Sequence, residues 1–379
     1  MAGGRLRIVH VIRAPMGGVF RHVRDLALQH TQSRHDVGLI CDAEGTPGYS
    51  EAGLKQLDIH LSLGVHRVPM ARSVGVSDIA SGRRVLATLK KLKPDIVHGH
   101  GAKGGVYARA VGGLAGSRER RVARFYSPHG GSLHFDPASR SGKLYFMVER
   151  MLESRTDTLM FVARFEEETY TAKIGAPSCE TRLIYNGLAK NEFLDVETAK
   201  DAADFLFIGE MRDLKGYDLV IEATKALRAN GYERLKILMV GSGPEEADAD
   251  RLIGDANLDD AITRHGPMPA RDAFAKARCV VMPSRAEAMP YIVLEALAAG
   301  KPLIASKVGG IPEIFEDNTD ALITPNAASL EAAMQTFLDD PDSLARKMPS
   351  KAQLRSRFSV EVMAEAALNA YRAALAQDV

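Results

Sequence analysis

Glu287 and Glu295 stand with seven residues between them in PSRAEAMPYIVLEALAAGKPLIAS, Pro283 to Ser306. CVVMPS, Cys279 to Ser284, has the apolar, β-branched composition of a short buried strand and is stopped by proline. RAEAMP follows as a loop, and from Pro290 the run YIVLEALAAG has helical character, ending at Gly300 ahead of the breaker Pro302. Pro290 suits a first helical turn, where its missing N–H goes unmissed. In an open parallel sheet, a helix start beyond a strand's carboxyl end faces the ligand crevice. Glu287 is therefore expected at the mouth of that crevice. Glu295, further down the helix, is within reach of a ribose diol. The chemistry implied is recognition of a sugar nucleotide.

Cations suited to a diphosphate occur upstream. FIGEMRDLKG places Arg212 and Lys215 in a loop between a buried strand and a helix. Two fixed cations there match the charge that collects on a β-phosphate when its bond to a sugar breaks. PMGGV, Pro15 to Val19, joins a first strand to a first helix, and Gly17 and Gly18 allow amides to approach a phosphate or an acceptor. A plain tight turn explains the pair equally well, and the third glycine of a dinucleotide fingerprint is missing. His129 follows a strand in SPHGGS, and His98 and His100 end another in HGHG. His98 and His100 are two apart with no acidic partner nearby, so no metal site is expected. DAD at Asp248 to Asp250 lies in a polar, helix-like stretch, where solvated charges are the simpler reading.

The segment around the two glutamates resembles the Glu-x7-Glu signature of the family 4 (group 1) retaining glycosyltransferases, enzymes of the GT-B fold. Ser284, Glu287, Pro290, Leu294, Glu295, Ala296, Ala298, Gly300 and Pro302 fall in step with S-x-x-E-G-F-P-x-x-x-L-E-A-x-A-x-G-x-P. Ala288 replaces the usual glycine. GEMRDLKG is similar to the family's G-E-L-R-x-x-K-G loop, with Glu210 where other members carry an arginine, which leaves that work to Arg212. The resemblance implies a UDP- or GDP-sugar donor, a glycan or lipid-linked acceptor, an α-linkage, and no other cofactor or metal. It gives catalytic roles to Arg212, Lys215, Glu287 and His129. It gives donor contacts to Glu295, Met289, Leu294, Gly241 (in the family's G-x-G-P loop), Gly266, Gly17 and Gly18. Gly309-Gly310-Ile311-Pro312-Glu313 also matches the family pattern, although helix capping explains its Pro-Glu. A sugar-nucleotide 2-epimerase of the same fold and a non-catalytic sugar-nucleotide-binding subunit are the alternatives.

Elements able to hold such residues alternate along the whole chain. RIVHVI, HDVGLIC, PDIVHGH and VARFYS have strand character in the first half, and DFLFIG, LKILMVG, CVVMPS and PLIAS in the second, with helical runs between. That alternation implies α/β architecture with two parallel sheets: two Rossmann-like domains facing a cleft. Asn186-Gly187 is a turn signal at the joint. The expected domains are an acceptor-side unit, 1–187 with a crossover helix at 358–379, and a nucleotide-sugar-binding unit, 188–357. At 379 residues two domains are the default. The three scattered cysteines suit reduced thiols in a cytosolic protein. The N-terminal residues run straight into a strand without the apolar region of a secretory signal, and no apolar run approaches membrane-spanning length.

Net charge is +1 but unevenly placed: residues 1–189 hold 27 Lys and Arg against 17 Asp and Glu. GRRVLATLKKLKP carries Val85, Leu89 and Leu92 on one helical face, with Arg83, Arg84, Lys90, Lys91 and Lys93 around it. SRERRVAR adds four arginines. This points to peripheral attachment at an anionic inner membrane face, although the same stripe also suits packing on the sheet. No nucleic-acid partner is expected.

Overall fold

The computed structural model describes residues 4–43, 49–71 and 75–376. The chain forms two compact units, one of Met1–Gly187 with Val360–Val379, the other of Leu188–Ser359. Each is a parallel sheet flanked by helices, the architecture of the GT-B class. The alternation of apolar strands and amphipathic helices explains it, since parallel strands need helical crossovers that cover both faces.

In the first unit the strands are β1 (Arg7–Ile12), β2 (Asp36–Asp42), β3 (Gly64–Val68), β4 (Ile96–His100), β5 (Ala123–Ser127), β6 (Thr158–Phe161) and β7 (Glu180–Leu183). Their order in the sheet is β3-β2-β1-β4-β5-β6-β7. The order reverses between β1 and β4, where Ile12 pairs with His100 and His10 with His98. β3, β6 and β7 are not among the expected strands, although TLMF of β6 is fully buried. β7 reads ETRL and sits at an edge, so it lacks the continuous apolar run of a central strand.

One sheet face is closed by the last helix, Val360–Ala376. Its Val360, Met363, Ala367 and Tyr371 pack on Ile8, Leu26, Ile96 and Phe125. The helix thus returns to the first unit, as expected. The opposite face is covered partly by the helix Ser77–Leu92, whose Val85 and Leu89 are fully buried against Val9, Val11 and Val97. The apolar stripe that could have met a membrane is spent in this core. Arg120 donates to the Pro94 and Ala115 carbonyls, while Arg121 and Arg124 pair with Asp157. Among the described residues no helix is long and apolar enough to cross a membrane.

The second unit has β8 (Ala203–Ile208), β9 (Ile237–Val240), β10 (Ile262–His265), β11 (Ala277–Met282) and β12 (Leu303–Ala305), in the order β10-β9-β8-β11-β12. Its core joins Phe205 and Phe207 to Val220, Leu227, Met239, Val281 and Phe337. The order reverses between β8 and β11, so the loops leaving those two strands open the crevice where ligands of such sheets bind.

Candidate functional site

Lys215 leaves the end of β8 and Glu287 the end of β11, on the two sides of that reversal. Lys215 Nζ donates to Glu287 Oε1 at 2.6 Å, with the glutamate side chain only 8% exposed and the lysine 29%. A cation and a carboxylate that sequence alone assigns to different parts of a donor are thus one unit. Arg285 braces the two loops from beneath. Its guanidinium grips both oxygens of Asp218 at 2.8 and 2.5 Å and donates to the Asp213 carbonyl at 2.6 Å. Its amide donates to the Leu214 carbonyl. Arg285 is not among the expected site residues; its place two residues after the strand-ending Pro283 is the local signal that marks it.

Close backbone approach fixes these loops. A Cβ at Gly216 would meet the Pro283 carbonyl at 2.3 Å, and one at Gly241 the Gly209 carbonyl at 1.9 Å. Both glycines have positive φ, so a side chain is excluded by conformation as well as by space. The Gly241 and Gly243 turn is thereby pressed against the loop that carries Arg212. Arg212 itself pairs with Glu210 at 3.1 Å, both about half-exposed. Glu210, where relatives carry an arginine, is thus the residue that holds Arg212. Ala288, in place of the usual glycine, uses its carbonyl to accept the Gly310 amide at 2.7 Å.

The helix expected from Pro290 runs Tyr291–Ala298, with Pro290 as an extended cap (φ −76°, ψ 123°) one position before the first turn. Met289 and Leu294 are buried, and Glu295 is half-buried on the same helix as Leu294. His265 Nδ1 hydrogen-bonds the Gly266 carbonyl, and Gly266 is exposed at the end of β10. The geometry brings Lys215 and Glu287 together. It does not bring Arg212 or Gly266 into contact with them.

The first unit gathers histidines at its own strand-order reversal. His10 from β1, His98 and His100 from β4 and His129 after β5 share one neighbourhood with His22 and His30 of the helix Gly17–Gln32. His10 Nδ1 lies 3.0 Å from His100 Nε2, and His100 Nδ1 lies 3.1 Å from His129 Nε2. Burial holds His10, His98, His100 and His129 well below the ordinary imidazole pKa, with neighbouring histidines adding to the effect. His22 is lowered by burial to about 4, against the opposing hydrogen bond from Asn186. These rings are neutral at pH 7. His129 takes φ +52°, and the buried Glu166 pins its loop by accepting the Gly130 and Val162 amides. Gly17 has φ +65° at an exposed helix start, with Gly18 inside the first turn.

Comparison with known families agrees with this geometry. The model "Glycosyl transferases group 1" matches residues 190–355, and "Glycosyltransferase Family 4" matches residues 16–191. The chain belongs to the family 4, group 1 glycosyltransferases. This glycosyltransferase is 27% identical over 394 residues to a glycogen synthase of Mycobacterium tuberculosis, covering 95% of this chain and 92% of that one. It is 28% identical over 209 residues to an alpha-D-kanosaminyltransferase of Streptomyces kanamyceticus, covering 50% and 53%. In fold it resembles Anabaena HepE solved with UDP-glucose (TM-score 0.79, 18% identity, 97% of this chain and 100% of that one). It also resembles a sucrose-phosphate synthase from Thermosynechococcus elongatus (TM-score 0.77, 20% identity, 98% and 100%).

Proposed function

We propose that this glycosyltransferase takes a hexosyl group from a UDP- or GDP-sugar to a glycan or lipid-linked glycan acceptor, with retention, forming an α-linkage. The pairing of Lys215 with Glu287 at the β8–β11 reversal carries this reading. The bond from the sugar's C1 to the β-phosphate breaks, and a bond from C1 to the acceptor oxygen forms on the same face. The acceptor proton passes to the departing phosphate oxygen, so no enzymatic base is needed. Lys215 turns from Glu287 to that phosphate as its charge grows. Arg212 joins it by leaving the exposed Glu210, a pair of the kind that contributes about 0–1 kcal/mol. Glu287 then faces the sugar and Glu295 the ribose. With two cations on the diphosphate, no divalent ion is required there.

Relatives described as a glycogen synthase and a kanosaminyltransferase, and a structural neighbour solved with UDP-glucose, support a nucleotide-sugar donor. The roles of His129, Gly17, Gly18, Gly241 and Gly266 are proposed on sequence resemblance alone. We place the enzyme in the cytoplasm, at an anionic membrane face. A panel of sugar nucleotides, with and without lipid extract, tests the reading. Diphosphate release with a new α-anomeric proton signal in the product supports it. A new sugar nucleotide identifies an epimerase, and binding without turnover identifies a binding subunit.

A further inference from the structure

We propose that His22, His100 and His129 form a binding site for a divalent transition-metal ion of the zinc class within the first unit. One nitrogen from each ring lies within 4.8 Å of the others. His100 Nδ1 and His129 Nε2 are 3.1 Å apart. Zinc–imidazole bonds of about 2.0–2.1 Å set tetrahedral ligand atoms about 3.3 Å apart, so this pair already has the required separation. The third ligand closes by a small ring movement.

The orientation of the rings supports the assignment. His22 Nδ1 lies 2.9 Å from Asn186 Oδ1, an atom that can only accept, so Nδ1 carries the proton and Nε2 keeps its lone pair. An imidazole whose far nitrogen donates to a fixed oxygen is the usual arrangement around a metal ligand. His100 Nε2 lies 3.0 Å from His10 Nδ1, and with the His10 proton on Nε2 it donates there and leaves His100 Nδ1 its lone pair. His129 is half-buried, which leaves an entry path, and three protein ligands leave a fourth position for water. A second triad, His10, His98 and His100, fits less well. All of it is buried, and both nitrogens of His98 are engaged, by Tyr371 and Ser127 at 2.7 and 3.0 Å.

The imidazole set selects zinc, cobalt or nickel over magnesium and manganese. An ion there would tie the loop after β5 to the first helix. The test is titration of the metal-stripped full chain with cobalt(II), followed by its visible absorption, and then with zinc against a chromophoric chelator. We expect one ion per chain with tetrahedral cobalt bands. His129→Gln and Asn186→Ala should each weaken binding about tenfold or more, and the exposed His60→Gln should not. His22→Gln serves as a further variant if its thermal melt is unchanged. The half-buried His129 decides the matter if His22→Gln does not fold. No binding by the wild-type chain, octahedral cobalt spectra, or affinity unchanged in His129→Gln would overturn the proposal. The readout is metal bound rather than turnover, so the proposal stands or falls apart from the transferase reading.

Discussion

A Cβ at Gly309 would fall 1.8 Å from the carbonyl oxygen of Glu287. Gly309, at φ +58°, is therefore the surface against which the Glu287 loop is seated. Gly309→Ala should push Glu287 aside by more than about an ångström and lower kcat by about 10²-fold. The thermal melt should also fall, because an L side chain is strained at this φ and meets backbone, so turnover is compared well below the variant's melt, where binding of free nucleoside diphosphate should change less than kcat. Wild-type turnover in a folded variant would show that Glu287 need not be placed so closely.

Lys215→Ala and Arg212→Ala should each reduce turnover by about 10²–10³-fold, the usual loss for one preorganised electrostatic partner. Because Lys215 and Glu287 touch, their alanine variants should combine less than additively, whereas Arg212 and Glu287 should add. A double-mutant cycle on kcat/KM measures this. Near-normal turnover in both cation variants would contradict the assignment.

The two carboxylates should separate by kinetic parameter. Glu295→Ala should weaken nucleoside diphosphate binding, since a ribose contact is made equally in ground and transition states. Glu287→Ala should lower kcat with less effect on that affinity. Calorimetric titration of both variants checks the division, and equal losses of affinity would refute it.

Adding magnesium or manganese to chelator-treated enzyme should not raise turnover. Lys215 and Arg212 supply the charge that a diphosphate-bound ion would otherwise provide. Activity lost to chelator and restored by magnesium or manganese would overturn this. Those hard, oxygen-preferring ions also distinguish a diphosphate metal from one held by imidazoles.

Membrane attachment, with Val85 and Leu89 committed to the core, must rest on charge alone. Arg83, Arg84, Lys90, Lys91 and Lys93 are all exposed. At about 1 kcal/mol per cation near an anionic surface, the protein should sediment with anionic vesicles at low salt and release at high salt. Charge reversal at Arg84 and Lys91 should abolish the effect. Absence of binding at low salt would remove the patch from consideration.

The strand–loop–helix around Glu287 was legible because composition, proline and glycine punctuate it without help from the rest of the fold. Pro290 fell one position from its expected place because a proline serves as well just before a helix as within its first turn. The Lys215–Glu287 pair was not legible: its partners are 72 residues apart, and only the adjacency of β8 and β11 joins them. The histidine cluster was half visible. HGHG announced His98 and His100, but His10 enters through the β1–β4 register and His22 from a helix face, neither of which linear spacing can show. The basic runs read as one surface because sequence could not reveal that Arg120, Arg121 and Arg124 are tied to neighbouring backbone and to Asp157.

The helix Val360–Ala376 also sets the order in which a newly made chain can mature. Residues 188–359 are one unbroken stretch and can close their core as soon as they clear the ribosome. The first unit must wait for residues made after the second, because Met363, Ala367 and Tyr371 complete the sheet face of Ile8, Ile96 and Phe125. This reverses the usual N-to-C order of domain folding. Until that helix is made, the apolar face of Ile8, Ile96 and Phe125 lacks its native cover.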